Sequence, residues 1–107
     1  MKGYQLTFYT QQDHRHGHKP MAEWLMLTAR DLGLRGATVV AASEGYGQHR
    51  HIHSAHFFEL ADQPQEIVMV ASKEQVDLLF DYLREEGVNL FYVKTPVEFG
   101  VLGKPDE

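Results

Sequence analysis

Residues 66–83 read EIVMVASKEQVDLLFDYL, and they contain the change of pattern that decides the fold. The first six residues are almost unbroken in apolar character, which predicts a buried β-strand. Ser72 and Gln75 then have the spacing of a capping box, in which two side chains satisfy free backbone N–H groups at a helix start. Apolar residues at positions 76, 79, 80 and 83 follow, so an amphipathic helix is predicted directly after the strand.

The residues on either side complete a pattern of six elements. Alternation of apolar and polar residues over 4–10 predicts a half-buried strand. We further expect a loop over 11–18, a helix from Lys19-Pro20 to Gly33 and a strand over 37–42. After these we expect a short strand or loop arm over 56–60 and a turn over 62–64. A strand over 88–95 follows the second helix, with a tail from Pro96. The order β-α-β-β-α-β predicts an α+β, ferredoxin-like fold with both helices on one face of an antiparallel sheet.

Helical spacing predicts which side chains of the two helices face the sheet. The predicted set is Trp24, Leu25, Thr28, Ala29 and Leu32 in the first helix, and Val76, Leu79, Phe80 and Leu83 in the second. The aromatic residues among them are interpreted as core rather than as a ligand platform.

The strand at 67–70 is apolar on both of its faces. Helices on one side of the sheet cover only one of those faces, so the other needs a cover of its own. Another copy of the chain would supply it in a symmetric oligomer, and a loop or the C-terminal tail is the alternative.

Length and composition limit the class of protein. A chain of 107 residues fits one domain spanning 1–107. The formal net charge of −5 argues against nucleic-acid binding, which needs a surplus of Lys and Arg. The absence of cysteine excludes disulfides and thiolate chemistry and fits a cytoplasmic location. We see no signal peptide and no apolar run that would insert in a membrane.

The histidines form two clusters that are candidates for metal binding. Six of the seven alternate with other residues, His14, His16 and His18 in the first loop and His49, His51 and His53 in the second. In extended backbone, alternate side chains point the same way, so each triplet can present imidazoles to one zinc, copper or nickel ion. Solvated loop histidines without a ligand, or histidines that sense pH, are the alternatives.

A glycine segment is the candidate ligand site. Glu44-Gly45-Tyr46-Gly47 follows a predicted strand, and Arg50 lies close behind it. Glycines let successive backbone N–H groups turn toward an anion such as a nucleotide phosphate, although such a pair also simply begins a loop. The segment is neither a Walker loop nor a dinucleotide fingerprint, and no hydrolase motif occurs in the chain.

Four stretches of the chain resemble the PII-like family known as domain of unknown function 190. They are Gly3–Tyr9, Asp13–Pro20, Gly33–Val39 and Glu44–Gly47, and the resemblance covers nearly the whole chain. It implies a ferredoxin-like, PII-like homotrimer with small-ligand sites in the clefts between subunits. In the wider superfamily these clefts bind adenine nucleotides, and a long loop after the second strand docks onto transporters, channels or enzymes.

Within that resemblance, Gly45 and Gly47 match the glycines at the base of the docking loop. Signalling PII proteins carry a phosphate loop rich in Gly and Lys after the second helix, whereas this chain has the acidic stretch 85–89. A less charged ligand, a metal-assisted nucleotide and no nucleotide therefore all stay open. Copper-tolerance CutA trimers share the fold as well.

Three functional hypotheses follow. The first is a non-enzymatic PII-like regulator that binds a small ligand, with an adenine nucleotide as the candidate, and acts on a partner protein through its loop. The second is a CutA-like trimer that binds zinc or copper through the histidine clusters. A small hydrolase or isomerase is the third, and no motif supports it.

Overall fold

The computed structural model describes residues 1–41, 44–46, 52–54 and 64–103. Its elements are β1 Lys2–Gln11, β2 Arg15–His16, β3 Lys19–Pro20, α1 Met21–Asp31, β4 Ala37–Ala41, β5 Glu44–Tyr46, β6 Ile52–Ser54, β7 Pro64–Ala71, α2 Lys73–Glu85 and β8 Phe91–Glu98. The short strand or arm predicted over 56–60 lies outside the described residues.

Four strands form the main sheet, in the order β4-β7-β1-β8. Every neighbouring pair is antiparallel, with Leu6 opposite Met69 on one side and opposite Lys94 on the other. β1 and β4 therefore run parallel with β7 between them, which is the split βαβ arrangement. The predicted ferredoxin-like α+β fold is confirmed.

The core lies between the two helices and one face of this sheet. Leu6 and Phe8 of β1 alternate with outward residues, and Ile67 and Met69 of β7 lie beside them; all four are at most 2% exposed. The helices add the buried side chains Met21, Leu25 and Ala29 from α1 and Val76, Leu79 and Leu83 from α2. The predicted stripe is thus confirmed, except that Trp24, Leu32 and Phe80 are only partly buried.

The predicted capping box fixes the start of α2. The Ser72 hydroxyl accepts the Gln75 backbone N–H (3.3 Å), and the Gln75 side-chain oxygen accepts the Ser72 N–H (3.0 Å). The Gln75 amide nitrogen also donates to the Gly33 carbonyl (2.8 Å), which joins the start of α2 to the end of α1. Gly33 and Gly87 follow the two helices with φ of 86° and 68°, as expected for helix-ending glycines.

Three boundary predictions were wrong. Residues 11–18 were predicted as a loop, but β2 and β3 pair as a short hairpin around Gly17, which has φ of 63°. Pro20 ends this hairpin as the N-cap residue, with ψ of 140°, so α1 begins only at Met21. The last strand was expected to end before Pro96, yet β8 runs through it. An edge strand tolerates proline because one side of it has no strand to bond.

The face of the sheet away from the helices is open and carries several exposed apolar side chains. Val93 and Phe91 of β8 are 43% and 54% exposed, and Val40 of β4 is as exposed as Val93. The C-terminal tail covers only one end of this face, where the Phe99 ring lies against Gly3. The tail alternative therefore accounts for that end and leaves the apolar remainder uncovered in the described structure.

Candidate functional site

The first histidine cluster and the start of the segment after β4 lie at one end of the sheet. β1 and β4 run parallel and finish at this end, so the hairpin β2–β3 and the segment after β4 both start here. α2 runs back across the sheet after β7 and also ends here, as the contact between His16 and Glu86 shows. We call this the loop end of the sheet.

The glycine segment forms the base of a second hairpin rather than the loop that we predicted. Glu44 pairs with Ser54, Gly45 with His53, and Tyr46 with Ile52, in antiparallel register. The backbone of β5 is therefore committed in part to β6, since strand pairing uses N–H groups that would otherwise be free for an anion. The remaining candidates, Gly47 and Arg50, lie outside the described residues.

The first histidine cluster does not form one extended row. The His14 ring nitrogen Nδ1 lies 2.7 Å from the Thr10 hydroxyl, whereas His16 Nε2 lies 3.1 Å from Glu86 Oε1. His18 is exposed beyond the turn at Gly17. His14 and His16 thus contact different elements, and the turn at Gly17 interrupts the extended backbone before His18, where alternation no longer holds.

No potential metal site of three or more His or acidic residues occurs among the residues for which coordinates are described. In the second cluster, His49 and His51 lie outside that part of the chain, and His53 is placed by its strand pairing alone. The metal hypothesis for this cluster stays a prediction.

A stack of aromatic rings ties the first hairpin to the helices, and sequence reasoning missed it. The His16 ring lies 4.1 Å from the Trp24 ring, centre to centre, and Trp24 stacks on Tyr82 at 6.1 Å. Glu86, which contacts His16, is the C-cap residue of α2. Trp24 was assigned to the core, but it bridges α1, α2 and the hairpin at the edge of the core.

A groove beside α1 opens at the loop end, with a cavity volume of about 860 Å³. Its floor includes Met26 and Leu27 of α1 and Val39 of β4, while Asp13 and Arg15 contribute charge of both signs. The packing of α1 against the edge of the sheet creates this groove, so no single stretch of sequence encodes it. It combines an apolar surface with polar groups, as small-molecule sites do.

The turn after α2 is acidic in the structure, as it is in the sequence. Glu85 and Glu86 are exposed there, next to Gly87. Two carboxylates repel a polyphosphate, so this turn is unsuited to hold one by itself. Any anion bound at the loop end has to be held by other residues.

Comparison with protein families identifies one match. The model of the family DUF190, described as "Uncharacterized ACR", matches residues 3–98. A UPF0166 protein of Aquifex aeolicus (strain VF5) is 31% identical over 70 residues, which is 65% of this chain and 67% of that protein.

Solved structures with the same fold are PII-like proteins. One is CPII of Thiomonas intermedia K12, a nitrogen regulatory PII-like protein bound to ADP, AMP and bicarbonate; its TM-score is 0.71 at 18% identity, over 94% of this chain and 91% of that one. Another is a putative PII-like signaling protein of Thermus thermophilus, with a TM-score of 0.67 at 16% identity, over 90% and 87% of the two chains. At these identities the similarity establishes a PII-like fold.

Neither helix within the described ranges has the length and apolar character that crossing a lipid bilayer requires.

Proposed function

The chain belongs to the DUF190 family, and we propose that it is a PII-like regulatory protein rather than an enzyme. The observation that carries this proposal is the match of the fold, over 94% of the chain, to a nitrogen regulatory protein bound to ADP and AMP. A fold alone does not specify a function, so the proposal also rests on the arrangement of this chain's own loop end and open sheet face.

The proposed ligand is an adenine nucleotide held at the loop end. The residues that we assign to it are Glu44, Gly45, Tyr46, Gly47 and Arg50. Arg50 would supply the positive charge that the acidic turn after α2 lacks, since a guanidinium binds phosphate through two parallel hydrogen bonds. A nucleotide with few phosphates fits one such cation better than a triphosphate does.

The proposed assembly is a homotrimer in which copies of the chain cover the open sheet faces. Tyr9 and Phe91 contact each other on this face with ring centres 5.6 Å apart, and Val68, Val93 and Val40 lie across the other strands. Exposed apolar patches of this kind are typical of interaction surfaces. The ligand sites would then lie in the clefts between neighbouring copies.

The proposed mechanism is a shift of the segment between β4 and β7 when ligand binds. A ligand changes the population of two states only by as much as its affinities for them differ. A nucleotide that contacts Gly45, Gly47 and Arg50 in one arrangement of this segment would stabilise that arrangement. A target protein, which we expect to be a transporter, a channel or an enzyme, would then bind the two forms unequally.

Calorimetric titration with AMP, ADP and ATP tests the proposal. We expect saturable binding at about one ligand per chain with a Kd below about 100 μM, equivalent to about −5.5 kcal/mol. Arg50→Ala is expected to weaken the binding at least tenfold because it removes the phosphate contact. Arg35→Ala changes an exposed arginine just before β4 and serves as the matched control.

Two outcomes would contradict the proposed nucleotide site. Absence of binding heat for all three nucleotides would remove the nucleotide from the proposal. Equal affinity of the Arg50 and Arg35 variants would move the site away from the glycine segment.

A parallel titration with zinc, repeated on a variant with His49, His51 and His53 changed to alanine, tests the metal hypothesis on the same preparation.

A further inference from the structure

A small cavity lies between α2 and the edge strand β8, on the opposite flank of the helix layer from the groove beside α1. Its volume is about 120 Å³, and its lining includes Phe8, Phe80, Leu83, Val88 and Tyr92. Phe8 and Leu83 belong to the buried core, so the cavity reaches the core from the surface. An apolar cavity of roughly 150 Å³ accepts benzene, so this one is close to the size of a single aromatic ring.

The walls of the cavity are aromatic rings in edge-to-face contact. The ring centres of Phe8 and Phe80 are 6.1 Å apart, and those of Phe80 and Tyr92 are 4.9 Å apart, both pairs at an interplanar angle of 67°. Tyr92 is 47% exposed although two other rings contact it. A further ring entering here would gain the same edge-to-face contacts and would cover this exposed surface.

Two cations lie at the same rings. The Lys94 ammonium lies 4.8 Å from the centre of the Tyr4 ring and 5.9 Å from that of Phe80. Arg84 lines the cavity itself, whereas Lys94 only contacts its rings. The Arg84 guanidinium lies 5.9 Å from the centre of the Phe80 ring and donates to Asp81 at 3.1 Å. Among the described residues, no carboxylate forms an ion pair with Lys94, which is exposed and lies over two ring faces.

We propose that this cleft binds a small aromatic anion. Its ring would occupy the cavity against Phe80 and Tyr92, and its carboxylate or phosphate group would pair with Lys94, with Arg84 as a second cation near the Phe80 ring. An aliphatic anion lacks the edge-to-face contacts, and a neutral ring leaves Lys94 without a counter-ion. The cleft shares no residue with the proposed nucleotide site at the glycine segment, and the two proposals are tested independently.

Titration of the full-length protein with phenyl phosphate, followed by backbone amide NMR shifts, tests the site. We expect saturable shifts centred on residues 80–94. Phenol carries the ring without the charge and inorganic phosphate carries the charge without the ring, so each should bind at least tenfold more weakly. The proposal would be overturned if no shift saturates or if the shifts centre on other residues. It would also be overturned if inorganic phosphate bound as tightly as phenyl phosphate.

A matched pair of variants assigns the charge contact. Lys94→Gln should weaken the binding of phenyl phosphate at least tenfold. It should leave the weaker binding of phenol unchanged, because the substitution removes only the charge. Lys73→Gln removes an exposed lysine at the other end of α2, where Lys73 pairs with Asp77. This variant should bind both ligands with unchanged affinity. Equal phenyl phosphate affinity of the Lys94 variant and the unmodified protein would contradict the assigned pairing.

Discussion

Both faces of the sheet carry large apolar side chains, but the helices cover only one of the two faces. On the helix-covered face, Ile67 and Met69 are at most 2% exposed, and both helices pack on them. On the open face, Val93 and Phe91 are about half exposed, and only the end near Gly3 is covered, by Phe99. An apolar face without a cover is costly in water, at about 25 cal/mol per Å².

Strands β1 and β7 differ in the residues that they place on the open face. β1 alternates apolar Leu6 and Phe8 with polar Gln5 and Thr7, as a strand of an isolated chain would. β7 instead places Val68 and Val70 beside those polar residues, so its sequence is that of a strand covered on both faces. β1 thus has the pattern expected of a single chain, and β7 has the pattern expected in the proposed trimer.

The largest expected effect comes from opening a cavity under the covered face. Leu79→Ala should lower the free energy of unfolding by about 2–5 kcal/mol, because Leu79 is fully buried and its loss leaves a void. Leu78→Ala, at the adjacent position of α2, changes a leucine that is 56% exposed and should cost less than about 0.5 kcal/mol. Urea unfolding of both variants makes the measurement. A similar loss for both would mean that α2 does not pack as described.

Crowding the covered end of the open face should have the next largest effect. A β-carbon at Gly3 would collide with the Ala71 carbonyl oxygen and press against the Phe99 ring. Because a backbone carbonyl in the sheet cannot yield cheaply, Gly3→Ala should cost about 1–3 kcal/mol of unfolding free energy. A β-carbon added at Gly36 would have no heavy atom within 4 Å, so Gly36→Ala is the control. Thermal unfolding compares the two, and equal midpoints would contradict the packing of Phe99 on Gly3.

A smaller effect is expected where α2 begins. Ser72→Ala removes the hydroxyl that accepts the Gln75 N–H and should cost about 1 kcal/mol. Ser72→Asp keeps an acceptor and should restore most of that loss. Denaturant unfolding of the two variants is the measurement; an alanine variant as stable as the aspartate one would show that the cap is not needed.

Local signals made the helices predictable. The capping box at Ser72 and the stop at Gly87 act within one helical turn, so α2 could be located from the sequence and was found as expected. The face that contains Leu79 followed from helical spacing in the same way. The four-strand sheet was then the simplest arrangement that buries these faces.

Long-range contacts explain what the sequence could not reveal. His16 and Glu86 are 70 positions apart, so nothing local indicates that the hairpin β2–β3 closes onto α2. The strand through Pro96 depends on β8 lying at the sheet edge, which only the topology decides. The cavity beside Lys94 likewise needs β8 and α2 side by side. Of the ligand candidates, Gly45 proved to be strand-paired, and Arg50 stays a prediction.

The mass of the protein in solution tests most directly whether copies of the chain cover the open face. Sedimentation at micromolar concentration should give three times the 12.3 kDa of one chain. Val93→Asp places a charge on the open face, which the proposed trimer would bury, and should give a single-chain mass with the fold retained. Leu78→Asp, on the exposed side of α2, should keep the trimer. A single-chain mass for the unmodified protein would contradict the trimer, and with it the proposed ligand clefts between subunits.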